Sequence, residues 1–165
     1  MCEGCSNLER IYWPFTGNIA SQYAFAGTTK LKRVDIRSIA QWSDVGWGGY
    51  NASYHYSPFD ASKDGHLYLD DEEITDFVFT DGATYIRTGC FRYVKGLVSV
   101  VWPNTLTQIS SQSFYSASNL ASITFRCASL TVGSDAFLGC SSLSRIVLED
   151  STAVDAFSSY TWNAT

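Results

Sequence analysis

The feature that most constrains this chain is a pattern of apolar residues repeated at a fixed interval. Leu97, Val100, Trp102, Ile109 and Phe114 recur as Leu120, Ile123, Phe125, Val132 and Phe137, always at an offset of 23. A fixed period in the twenties is the signature of a solenoid, whose coils cannot bury their apolar faces without neighbours.

The frame extends in both directions. Phe77, Phe79 and Phe91 align with Val100, Trp102 and Phe114, so 74–96, 97–119 and 120–142 are three consecutive repeats. Near the start it reappears as Leu8, Ile11, Trp13 and Phe25, then Leu31, Val34 and Ile36, with Leu8 and Leu31 again 23 apart. Its middle slips by one position, since Ile19 stands six before Phe25 whereas Ile109 stands five before Phe114. Leu31 and Ile74 are 43 apart, one repeat plus an insertion of about 20. The expected organisation over 1–165 is one solenoid. Repeats start near 8, 31, 74, 97, 120 and 143, with an insertion at about 38–73 and a terminal cap at about 150–165.

Each repeat opens with alternating apolar residues, as in Leu97, Val100 and Trp102, which reads as a short strand. Pro103 ends it, because proline cannot donate to a ladder, and Pro14 does the same in the first repeat. A second short extended piece ends at Ile109, and Phe114 then turns inward. Strands at equivalent positions stack into parallel ladders, and Phe25, Phe91, Phe114 and Phe137 are expected to form one buried column. In the insertion, Ile39-Ala40-Gln41-Trp42 reads as one short amphipathic turn, and Gly46, Gly48 and Gly49 break regular structure. Leu67-Tyr68-Leu69, then Asp70-Asp71, then 72–79 read as a β-hairpin, since aspartates tolerate the backbone angles of a tight turn.

Composition narrows the function. Charged residues are 16% and aromatics 15%, a balance that argues against disorder. A net charge of −5 disfavours non-specific binding to nucleic acid or anionic membrane, and no apolar run is long enough to span a bilayer. Five cysteines cannot all pair within one chain. Cys5 and Cys140 occupy one repeat position five coils apart, roughly 25 Å at strand spacing and beyond disulfide reach. Buried packing is the first reading of the cysteines, and Cys2-x-x-Cys5 without a second such pair is a weak metal or redox signal.

The residues resemble the BspA-like (Treponema-type) leucine-rich repeats. The likeness is carried by Leu120-Ala121-Ser122-Ile123-Thr124-Phe125 and Asp135-Ala136-Phe137-Leu138-Gly139-Cys140. It extends to an insertion with Val34-Asp35-Ile36, Trp42, Pro58-Phe59 and Leu67-Tyr68-Leu69. The end, 151–157 with Trp162, is similar to a helical cap used by such arrays. Departures are Ser113 and Cys90 in place of the alanine before phenylalanine, and Ser116-Ala117 in place of Gly-Cys. The resemblance implies a β-rich leucine-rich-repeat solenoid with parallel short strands, one hairpin insertion and a short helical C-terminal cap. It further implies a recognition module of cell surfaces or secreted proteins, with no catalytic machinery and no cofactor.

Nothing in the sequence supplies a better-supported chemistry. His55 and His66 fall in no metal-binding or hydrolase pattern, and Asp60 to Gly65 lacks the further carboxylates of a calcium loop. The acidic run 70–73 reads first as a solvated hairpin tip. Binding is the remaining hypothesis. Ile11, Val34, Phe77, Val100, Ile123 and Ile146 are expected to point inward. One outward column is then Tyr12, Asp35, Val78, Val101, Thr124 and Val147, and the other is Arg10, Arg33, Asp76, Ser99, Ser122 and Arg145. This face is the first candidate for gripping a protein or glycan, although β-branched residues suit any sheet surface. Trp42, Trp47, Tyr50, Tyr54 and Tyr56 read first as local core for the insertion and alternatively as a sugar-stacking platform. The start at 1–5 lacks a signal peptide, and Gly4-Cys5 reads as the tail of a repeat without its strand. The expectation is a fragment whose first coil is covered by upstream repeats or another chain. The alternative function is a structural module of a larger particle.

Overall fold

The computed structural model describes residues 2–14, 23–43, 45, 47, 57–79 and 82–149. The expected cap at 150–165 and Tyr50, Tyr54 and Tyr56 lie outside these residues.

The chain is a β-solenoid of short strands with one helical turn among the described residues. In order they are β1 (Arg10–Trp13), β2 (Arg33–Ile36), α1 (Ile39–Ser43), β3 (His66–Leu69), β4 (Glu72–Glu73), β5 (Asp76–Val78) and β6 (Tyr85–Ile86). β7 (Ser99–Val101), β8 (Gln108–Ile109), β9 (Ser122–Phe125), β10 (Thr131–Val132) and β11 (Arg145–Leu148) follow. They form three ladders, β1-β2-β3-β4, β5-β7-β9-β11 and β6-β8-β10. Every pairing is parallel except β3 with β4.

The registers reproduce the sequence period. Asp76 pairs with Ser99, Ser99 with Ser122, and Arg145 with Ser122, each at the repeat's own offset of 23. Arg10 pairs with Arg33 at the same step. The next rung breaks the period, because β2 pairs with β3 through Arg33 and His66, an offset of 33. The hairpin expected over 67–79 is correspondingly shorter. Its second arm is β4 alone, and Asp76–Val78 belongs to a different ladder. Asp70 and Asp71 close it with φ of 52° and 66°, the left-handed pair a two-residue turn requires.

Burial follows alternation. Val34, Leu67, Phe77, Val100 and Ile123 face inward with at most 1% exposure. Behind them the rings of Phe91 and Phe114 stack at 4.8 Å, and those of Phe114 and Phe137 at 5.3 Å. A second stack is Phe79, Trp102 and Phe125, at 4.7 and 6.0 Å. Phe25 is buried but packs edge-on to Trp13 and Trp47 instead. Trp47 N–H donates to Thr88 O at 3.2 Å, which seats this segment on the coil that carries Phe91. Ile146 departs from expectation. Although in register with buried Ile123, it is 42% exposed, because β11 is the last strand of its ladder.

None of the five cysteines is joined in a disulfide. Cys140 Sγ donates to Phe114 O and Cys90 Sγ to Trp42 O, both at 3.2 Å, so these two thiols bond carbonyls in the core. Burial pushes the Cys140 thiol up to about 12.

Candidate functional site

Strand alternation that buries one face of each ladder presents the other. On β5, β7, β9 and β11 the outward residues fall into two columns. Val78, Val101, Thr124 and Val147 form one, and Asp76, Ser99, Ser122 and Arg145 the other. Val78 is 50% exposed, with Val101, Thr124 and Val147 half-buried beside it. Ser99 Oγ donates to the Asp76 carboxylate, tying the rim of this stripe to the neighbouring strand. The result is an apolar strip with a polar border.

The first ladder carries a different surface. Its columns are Arg10, Arg33 and His66, and Tyr12, Asp35 and Tyr68. Asp35 faces outward as expected, yet it is only 7% exposed, because two guanidinium groups cover it. Arg10 Nε donates to Asp35 Oδ2 at 2.6 Å and Arg33 Nη2 to Asp35 Oδ1 at 2.6 Å. Asp71 at the hairpin turn accepts from both arginines. Arg33 also lies over the Tyr68 ring, 3.8 Å from its centre. Burial raises the Asp35 carboxyl, but the arginine bonds outweigh it and hold the group below the usual carboxylate range. The same bonds raise Arg33. Tyr12 stands beside this network, 62% exposed.

His66 lies at the lip. Its Nδ1 is 2.6 Å from Glu73 Oε1 and its Nε2 is 3.5 Å from Asp64 Oδ1. Both ring nitrogens thus face carboxylates rather than a serine, which is not the geometry that activates a nucleophile. Lys32 bonds Asp64 at 2.8 Å and holds that carboxyl low. Gly96 makes room for the pair, since a Cβ there would stand 2.3 Å from Glu73 Oε1. Among the described residues no group of histidine, cysteine and carboxylate side chains is arranged to hold a metal.

The insertion offers no surface platform at Trp42 or Trp47. Both are 1% exposed, with ring centres 5.2 Å apart, and Trp47 also packs on Trp13 at 5.1 Å. The glycine-rich stretch 46–49 carries no periodic signal, so sequence spacing does not separate core from platform there. His66, Tyr68 and Asp71, which complete the charged face, are absent from the expected outward columns. The signal for His66 and Tyr68 is the alternation of His66-Leu67-Tyr68-Leu69, and for Asp71 the Asp70-Asp71 turn.

The family model for the BspA type leucine rich repeat region matches in 6 copies, over residues 1–45 and 66–164. The chain belongs to the BspA-type leucine-rich-repeat family. The BspA-type match passes over 46–65, the stretch in which the offset between rungs lengthens from 23 to 33. Among solved structures, the BspA-type chain is similar to a leucine rich cell surface protein from Faecalibacterium prausnitzii A2-165. Identity is 24% and the TM-score 0.52, over 87% of this chain and 40% of that one, a likeness of fold. This chain thus spans less than half of that protein's length. No curated protein matches it.

Proposed function

We propose that this BspA-type array is a non-catalytic recognition module, binding a protein or a glycan through its outward sheet face at a cell surface. The observation that carries the reading is the outward strip of exposed Val78 and half-buried Val101, Thr124 and Val147, bordered by Asp76, Ser99, Ser122 and Arg145. A rigid ladder presents such a strip with its side chains pre-ordered, so little entropy is lost on binding. The cell-surface setting is supported by the structurally similar Faecalibacterium protein, a leucine rich cell surface protein. In this reading the sequence frame, with repeats near 8, 31, 74, 97, 120 and 143, supplies the scaffold. Residues 38–73 are then its insertion and 150–165 a short helical cap.

The test is a pair of arrays, one of glycans and one of purified extracellular proteins, probed with wild type and Val78→Asp/Val101→Asp. Binding lost in a variant that still melts like wild type supports the face. Binding that survives both substitutions removes it. A second reading, a structural module in a larger assembly, is favoured by the 42% exposure of Ile146, in register with buried Ile123 on the outermost strand β11. Sedimentation that shows stacking of copies, abolished by Ile146→Asp, would favour it over the first.

A further inference from the structure

We propose that the groove between the starts of β1 and β2 binds an acidic oligosaccharide, one bearing carboxylate or sulfate groups. The groove is about 500 Å³ and is lined by Glu9, Arg10, Thr29, Lys30, Lys32 and Arg33. Four of the chain's 11 lysines and arginines therefore meet in one depression on a protein whose net charge is −5. That concentration has a structural cause. Lys30, Lys32 and Arg33 are close in sequence, and ladder register sets Arg10 beside Arg33, one strand spacing of about 4.8 Å away.

Glu9 is the one carboxylate in the groove lining, and the carboxylates bonded to the lining cations lie outside it. Asp64 holds Lys32, and Asp35 and Asp71 hold Arg10 and Arg33, from outside it. These bonds use Nε and Nη2 of each arginine and leave Nη1 outside them. Lys30 Nζ donates to the neutral Asn7 Oδ1 at 2.9 Å, so its charge has no carboxylate partner there. The two arginines are thus held in position with a donor group still to give, and the two exposed lysines add charge beside them.

The remaining lining favours a sugar over an acidic peptide. Glu9 and Thr29 offer acceptors for hydroxyl groups, which an acidic sugar carries beside its charges and an acidic peptide does not. Arg10 is shared with an adjoining cleft of about 220 Å³, but Asp35, Asp70 and Asp71 line that cleft, so the acidic sugar is confined to the first groove. This site is separate from the valine strip and extends the recognition reading to a second ligand surface.

Fluorescence anisotropy on the full chain would use labelled hexasaccharides of heparin and of polygalacturonate as sulfated and carboxylated probes. A neutral chitin hexamer, a hexaglutamate peptide and a short single-stranded DNA are the comparisons. Wild type is expected to bind at least one acidic sugar, more weakly as salt rises. Lys30→Glu/Lys32→Glu should weaken binding at least about tenfold, and Arg126→Glu, away from the groove, should not. If the double variant melts early, Lys30→Gln alone should weaken binding about threefold. Unchanged affinity in a folded groove variant, equal loss in Arg126→Glu, or no binding of either acidic sugar overturns the proposal. So does equal or tighter binding of the neutral sugar, the peptide or the DNA. Loss in Val78→Asp/Val101→Asp alone would move the sugar to the valine strip, overturning this groove while leaving the recognition reading intact.

Discussion

Arg33 folds back over Asp35, its second neighbour along the same face of β2, and bonds its carboxylate at 2.6 Å. An outward-facing charge is thereby turned into a nearly buried one. The Arg10 guanidinium closes the other side, and Asp71 links both arginines to the hairpin turn. The outer face of the first ladder is held by charge where the second relies chiefly on packing.

Asp35→Asn should therefore destabilise the protein by about 2 kcal/mol in denaturant titration at neutral pH, the scale of lost bonds to charged groups. The carboxyl is held below its usual 3.8, so its contribution is present above the unfolded value and fades as pH falls through the folded one. The gap between wild type and Asp35→Asn should be constant above about pH 5 and shrink below about pH 4. A gap that grows in acid would contradict the network.

Phe114 sits between Phe91 and Phe137 in one ring stack and meets Trp102 edge-on at 5.4 Å. Phe114→Ala should cost about 3–5 kcal/mol, because coils on both sides prevent collapse of the cavity. Equilibrium unfolding by circular dichroism measures it. A cost below about 1 kcal/mol would show that the column is not close-packed.

Tyr93, Ser116 and Gly139 occupy one position in successive repeats, and all have positive φ, of 59°, 56° and 80°. Only glycine takes that conformation without strain. Ser116→Gly should stabilise the protein by about 0.5–1 kcal/mol. Gly139→Ala should destabilise it by about 1–2 kcal/mol, since its Cβ would also stand 2.8 Å from Ser116 Oγ. Thermal melts of the two variants should move in opposite directions.

Arg92 and Asp60 form a nearly buried ion pair at 2.9 Å, joining the insertion to the coil of Phe91. Removing one partner leaves a charge in the interior, so Arg92→Leu should cost about 3–5 kcal/mol. Arg92→Leu/Asp60→Asn should recover part of that loss. A double-mutant cycle with no coupling would show that the pair does not anchor the insertion.

The inward residues of the regular coils are legible in the sequence. In Phe77, Val100 and Ile123 a single offset aligns alternation, ladder register and burial, and these three constraints agree. His66 is not legible in the same way. Its offset of 33 from Arg33 matches no period, so β3 reads only as one arm of a hairpin. Asp35 reads as an open face, because alternation gives the direction of a side chain and not what folds over it.

By itself, then, the sequence determined the period, the parallel stacking and the core of the repeats, since local hydrophobic spacing dictates them. The tertiary structure decided which outward residues are available and which are covered. Arg10 and Arg33 are neighbours through the repeat itself, but that Asp35 and Asp71 bond both of them is decided only by the folded chain. Trp47 is core only because Trp13, Phe25 and Trp42 converge on it. Contacts between coils that are not related by the repeat leave no periodic trace in the chain, and they are what distinguish one surface of this solenoid from another.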